Sequence, residues 1–346
     1  MTTLLKPLIR PSLGFAVAFL LTTLAIAAPA KPVVTVALDG KADYHSLQAA
    51  INAAPVQGEV IRVKPGTYYE VLNISQNGIE IRGLGKNPAA VVISASQSAA
   101  STGDTGKSGT VTITGDDFYA ENLTIENTWT RTNALSKQGS QAVALRAQGD
   151  REIFRNVRLL GYQDTLYADS KTCHDLTQTG LCHAARQYYA DSYIEGHVDF
   201  IFGDAKAVFD RCELHSLAHP TSYLTAQSKK YAAEDSGYVF WHAKLTAESG
   251  ADRVFLGRPW RAYATVIFLE SELGAQIDPA GWQDWQHDGK SSLTTMYYAE
   301  YKSHGPGANP KARIAESHQL TDAEAKQYET TKYLAGTDGW NPTLIH

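Results

Sequence analysis

The sequence predicts an all-β chain wound as a parallel β-helix, and three observations carry that prediction. Four segments superpose when the sequence is aligned on itself: ENLTIEN from Glu121, RNVRLLG from Arg155, ADSYIEG from Ala190 and DRCELHS from Asp210. Within them one set of positions alternates with its neighbours at period two, the mark of a half-buried strand. Tight hairpin signals such as Asn77-Gly78 do not punctuate the chain regularly, which argues against an antiparallel sandwich. Short strands that return at nearly even intervals make a stack of coils, each covering the apolar face of the next.

The second residues of the four segments are Asn122, Asn156, Asp191 and Arg211, spaced by 34, 35 and 20. The shortest interval is the bare coil. The longer ones carry insertions, one of which holds Cys173 and Cys182. Leu123, Val157, Ser192 and Cys212 are expected to face inward, as are Ile125, Leu159, Ile194 and Leu214 two residues on. Thr124, Arg158, Tyr193 and Glu213 between them are expected to face outward. Asn127, Gly161, Gly196 and Ser216 then turn the chain. Helix signals are sparse: Tyr44–Ala54 reads as an N-terminal helix that caps the open end of the stack, and Asp322–Tyr333 as another near the C-terminus.

The first thirty residues read as a signal peptide. Lys6 and Arg10 form a positive start, Leu13–Ala25 is mostly apolar, and Ala25-Ile26-Ala27 or Ala28-Pro29-Ala30 offers a small-residue cleavage site. The apolar run is short for a membrane span, and nothing later is long and apolar enough to cross one. The expected product is a secreted chain, extracellular or periplasmic, with residues 31–346 as one β-helix domain free of the membrane after cleavage. Losing Lys6 and Arg10 takes the formal net charge from −5 to −7. That balance speaks against a general nucleic-acid binder, so an anionic substrate must be met by local groups. The 18 Tyr and 6 Trp suit contact with flat, partly apolar surfaces such as sugar rings. After export, Cys173 and Cys182 can close a small disulfide loop. Their spacing does not match a zinc site.

Two frames then stand out, GYQDTLY (Gly161–Tyr167) and GHVDFIF (Gly196–Phe202). Asp164 lies eight residues after Asn156, and Asp199 eight after Asp191, so the two are equivalent in successive coils. Stacked strands are about 4.8 Å apart, which would bring both carboxylates to one site. The flanking repeats carry Thr130 and His219 at the aligned positions, so the pair is no general ladder. Two adjacent carboxylates cannot both ionise cheaply: one becomes a proton donor and the other, supported by a cation, a nucleophile or base. Ester hydrolysis through an acyl-aspartate, glycoside hydrolysis and metal-assisted elimination all use such a pair. No G-x-S-x-G elbow occurs, the phosphate-loop-like Gly106-Lys107-Ser108 has Ser101 where glycine is required, and Gly83-Leu84-Gly85 has Pro88 there.

GTYYE (Gly66–Glu70), QAVAL (Gln141–Leu145), GYQDTLY, DFIFGDA (Asp199–Ala205) and LGRPW (Leu256–Trp260) occur in that order, followed by DPAGW (Asp278–Trp282) and by YYAEY and GPG within Tyr297–Gly307. Together they resemble the signature set of pectin methylesterases, carbohydrate esterases that act on methylated pectin, over roughly residues 32–342. The resemblance implies a single-stranded, right-handed parallel β-helix and an enzyme that releases methanol from partly methylated homogalacturonan. It maps the nucleophile to Asp199, the general acid/base to Asp164, the anion hole to Gln141 and Gln163, and the group that keeps Asp199 ionised to Arg258. Phe202, Trp260 and Trp282 become the aromatic contacts to substrate, and Tyr68, Tyr69 and Glu70 scaffold or cleft edge. No metal or organic cofactor is required, and a monomer is expected. A galacturonan hydrolase or lyase, or a non-enzymatic carbohydrate-binding β-helix, would use the same shape. The full Asp, Gln and Arg set speaks against both. Many relatives carry a cysteine where Ser192 stands, paired with the one matching Cys212, so Cys212 is expected to be a free buried thiol here.

Overall fold

The computed structural model of the chain describes residues 1–3, 30–133, 140–171, 185–285 and 292–345. It divides the chain into Met1–Ala30 and Lys31–His346. The expected disulfide pair, Cys173 and Cys182, lies outside the described residues. Among the described residues, strands from Val33 to Gln319 in the second unit form three sheets of eleven, seven and eight strands, and every pairing is parallel. Successive coils contribute one strand to each sheet in turn, so the domain is a parallel β-helix.

The corner between the first and third strand rows explains the repeat. Asn122, Asn156, Asp191 and Arg211 all adopt φ near +50°, and His242, Glu270 and Lys302 continue the row. Asparagine and aspartate tolerate this left-handed conformation best among residues with a side chain. Asn122 Nδ2 also donates to the carbonyls of Gly83 and Gly85, and Asn156 Nδ2 to Asn122 Oδ1 at 3.1 Å. Leu123, Val157, Ser192 and Cys212 are buried beyond the corner, as are Ile125, Leu159, Ile194 and Leu214. Arg158, Tyr193 and Glu213 face outward and are half-buried. Thr124 differs: it is 1% exposed, because the 3-10 turn Pro88–Ala90 lies over it and Pro88 O accepts its hydroxyl. Cys212 is a free thiol with no exposure.

Inside the eleven-stranded sheet, Phe154, Tyr189, Phe209, Phe240 and Phe268 occupy paired register positions. Their rings stack at centroid spacings of 4.7, 4.7, 4.6 and 4.4 Å. That is the strand spacing itself, so one ring per coil fills the bore without a gap. The N-terminal helix runs Leu47–Ala53, capped by Ser46 Oγ. Glu70 of the GTYYE block completes the cap, accepting from Leu47 N, Gln48 N and Ser46 Oγ. The second expected helix forms as Asp322–Ala325 and Thr330–Tyr333 around a 3-10 turn. It covers a side of the stack, not an end. Leu320, Ala325 and Leu334 pack on Tyr188, Val208, Val239 and Ile267, the outer face of the eleven-stranded sheet.

Candidate active site

Asp164 and Asp199 stand two residues before Leu166 and Ile201, which pair in register in the seven-stranded sheet. The two aspartates are therefore equivalent and one coil apart, and Asp164 N donates to Val198 O at 3.1 Å. Both take left-handed backbone, φ +63° and +52°, at the turn into their strands. The same register puts Val143 and Tyr223 in the flanking coils, since Leu145 pairs with Leu166 and Ile201 with Thr225. Thr130 and His219 are thus not their equivalents. Residues inserted at this corner displace them, Thr130 into the helix Trp129–Thr132 and His219 onto the ring of His197. His197 itself is buried, accepts from Val198 N, and is pushed down to about 4 by burial and by His219, so it is neutral.

Arg258 emerges from the end of the strand Val254–Gly257 and grips the Asp199 carboxylate with both prongs. Nε donates to Oδ1 at 2.9 Å and Nη2 to Oδ2 at 2.6 Å. Its planar head lies over the rings of Tyr223 and Trp285, 3.9 and 4.1 Å from their centroids. A guanidinium is suited to both contacts at once, a bidentate fork in its plane and π-faces above and below.

Burial raises the Asp199 carboxyl from its ordinary value, and the Arg258 hydrogen bonds and charge oppose the shift. The sequence reading had Asp199 as the low-pKa partner; here that holds relative to Asp164 and not against a free aspartate. Asp164 is pushed well above the usual carboxylate range by burial and then by the Asp199 charge, with only the more remote Arg258 against it. The geometry therefore makes Asp164 the member that holds its proton more tightly and Asp199 the arginine-supported one.

Gln141, Gln163, Asp164, Asp199 and Arg258 line one pocket of about 560 Å³. Phe202 and Trp260 line it as well. Phe202 stacks on Tyr167 at 4.2 Å and meets the Trp260 ring edge-on at 5.9 Å. Trp282 does not reach the pocket. It is 1% exposed, in the core against Tyr298 at 4.3 Å, and Trp285 three residues on is the one at the wall. The sequence reading also passed over Tyr167 and Arg146, whose head lies 5.0 Å over the Tyr167 ring. A signal for Tyr167 was present: in GYQDTLY it occupies the place that Phe202 has in GHVDFIF, and the two pair in register. Asp104, Thr105 and Gly106, from an excursion of an earlier coil, close one side. Among the described residues, no three His, Cys, Asp or Glu side chains converge to hold a metal ion.

A carboxyl that burial favours in its protonated form and an arginine-supported one beside two amide side chains form an arrangement suited to attack on a carbonyl carbon, with the oxyanion held by amide donors. The comparisons with known proteins agree in kind. A family model described as Pectinesterase matches residues 33–337. Pectinesterase 1 of Solanum lycopersicum is 35% identical over 316 residues, 87% of this chain and 54% of that protein. The chain spans little more than half the length of these first relatives, 58% in the case of a probable pectinesterase/pectinesterase inhibitor of Arabidopsis thaliana. A pectin methylesterase from carrot superposes with a TM-score of 0.79 at 30% identity, over 92% of this chain and 98% of that one. A pectin methylesterase solved in complex with a hexasaccharide does so with a TM-score of 0.75 at 30% identity, over 90% and 98%.

Proposed function

The chain belongs to the pectinesterase family, and from that premise we propose that it hydrolyses the methyl esters of galacturonic acid units in pectin, releasing methanol through an aspartyl acyl-enzyme. The observation that carries this reading is the bidentate Arg258–Asp199 pair beside the buried Asp164, whose carboxyl burial and the Asp199 charge push up, in one pocket with two glutamines. An Asp199 oxygen attacks the ester carbonyl carbon. The resulting oxyanion is met by the side-chain NH₂ groups of Gln141 and Gln163, donors whose loss typically costs about 10²–10³ in rate. As the C–O bond to the methoxy group breaks, Asp164 gives it a proton and methanol leaves. The now ionised Asp164 takes a proton from water, whose hydroxide attacks the acyl carbon and frees both the galacturonate and Asp199. Both carboxyls end as they began.

Phe202 and Trp260 offer apolar faces to the sugar rings and the methyl group. The hexasaccharide held by a similar protein supports an oligosaccharide in this cleft. Residues 1–30 act, in this reading, as a signal peptide, and the mature chain works as a monomer outside the cytoplasm. No described helix is long and apolar enough to cross a membrane. Methanol measured over a pH series with methylated pectin tests the function. Release is expected without shortening of the polymer; no methanol at any pH, or falling chain length, overturns it.

A further inference from the structure

We propose that Ser140 is a positioning residue for the anion hole, its hydroxyl fixing which end of the Gln163 amide faces the reacting carbonyl. This rests on the reading of Gln163 as a donor to the oxyanion. Ser140 Oγ donates to Gln163 Oε1 at 2.9 Å. A glutamine amide has an accepting end and a donating end of nearly equal size, and its surroundings decide which points where. Turned one way, its carbonyl oxygen would face a pocket lined by Asp164 and Asp199 and would repel an oxyanion formed there. A hydroxyl can meet either end of an amide, so the two carboxylates disfavour the oxygen in the pocket and Ser140, donating to that oxygen, holds the amide with its NH₂ end toward the pocket that Gln163 lines. The Gln163 backbone is fixed too, its carbonyl accepting from Ala142 N at 3.2 Å. Such a donor is oriented before charge develops, so it needs no reorganisation in the transition state. Ser140 lies outside the described side chains that line the pocket, and so acts through Gln163.

The test compares Ser140→Thr with Ser140→Val, a pair matched in shape and differing in the hydroxyl, alongside Ser140→Ala. The hydroxyl-free variants are expected to lose on the order of tenfold in kcat on methylated pectin, part of what a whole donor supplies, with KM within about twofold. Ser140→Thr is expected to keep most of kcat. In a Gln163→Ala background the Thr and Val variants should become indistinguishable. Equal kcat for Thr and Val in the native background overturns the proposal. So does a loss confined to KM, or one that persists undiminished without the Gln163 amide. A wild-type chain that releases no methanol would bring down this inference together with the proposed function. A wild type that turns over while position 140 is indifferent brings down the inference alone.

Discussion

At Asp164 the fold accepts a carboxyl whose ionised form it penalises twice, by burial and by the neighbouring Asp199. The folded pKa lies above the unfolded one, so the native state binds this proton more tightly. The stability it contributes is complete below the ordinary carboxylate pKa and is lost as pH rises through the raised folded value. Asp164→Asn is therefore expected to abolish turnover and yet raise Tm by about 2–4 °C at pH 8, with no gain near pH 3.5; an equal shift at both pH values refutes this. Cys212 behaves in the opposite spirit, as an inert thiol. Burial pushes it up to about 12, with no exposure. Alkylation of the native, unreduced protein should miss it, and alkylation after denaturation without reduction should find one thiol per chain. Three would refute the proposed Cys173–Cys182 disulfide. The paired aspartates of the pocket were legible because the sequence repeats their whole frame. The aromatic residues were not: Trp282 and Trp285 are the same residue type three positions apart, and only strand and core geometry decides which one meets the cleft.

The corner row shows why part of the repeat could be read and part could not. Its first three members are Asn122, Asn156 and Asp191, side chains that favour left-handed backbone, whereas Arg211, Glu270 and Lys302 adopt the same φ with no such preference. The alignment accordingly held through Arg211, helped by the apolar pattern, and lost the three coils beyond it. Asn156, like Asn122, combines the backbone preference with a side-chain bond to the coil below. Asn156→Ala is expected to cost about 1–2 kcal/mol, and Asn156→Gly, which keeps the backbone freedom, clearly less. Chemical denaturation of the two variants checks the order, and a Gly variant no better than Ala would count against the corner's role. The misplaced equivalents Thr130 and His219 have a different cause. The insertions enter between the third-row strands and the strands bearing the aspartates, so counting residues from the corner fails wherever a loop is longer.

For the whole molecule, the parallel stack was legible from periodicity, but the covering of its side was not. The C-terminal segment seals an apolar face and is pinned by Arg186, which reaches Asp150, Asp338 and the carbonyls of Leu334 and Ala335. Nothing in a short amphipathic stretch says which face of a coil stack it will find. Removing residues 320–346 should uncover Tyr188, Val208, Val239 and Ile267, and such a patch promotes association. Larger species in size-exclusion chromatography and increased dye binding are expected of the truncated chain; a well-behaved monomer would contradict this. The placement of the pocket's charged groups within the stack has a further effect. Asp164 and Asp199 introduce neighbouring strands of the seven-stranded row, and Arg258 follows Val254–Gly257, two coils beyond Asp199. That strand is bridged in turn by the next coil, Val254 to Ile277 and Gly257 to Trp282, so Arg258 has coils on both sides. In a stack each coil is held by its neighbours. The Asp199–Arg258 pair spans an intervening coil, so a shift of that one coil would part the two groups while the coils on either side stayed wound.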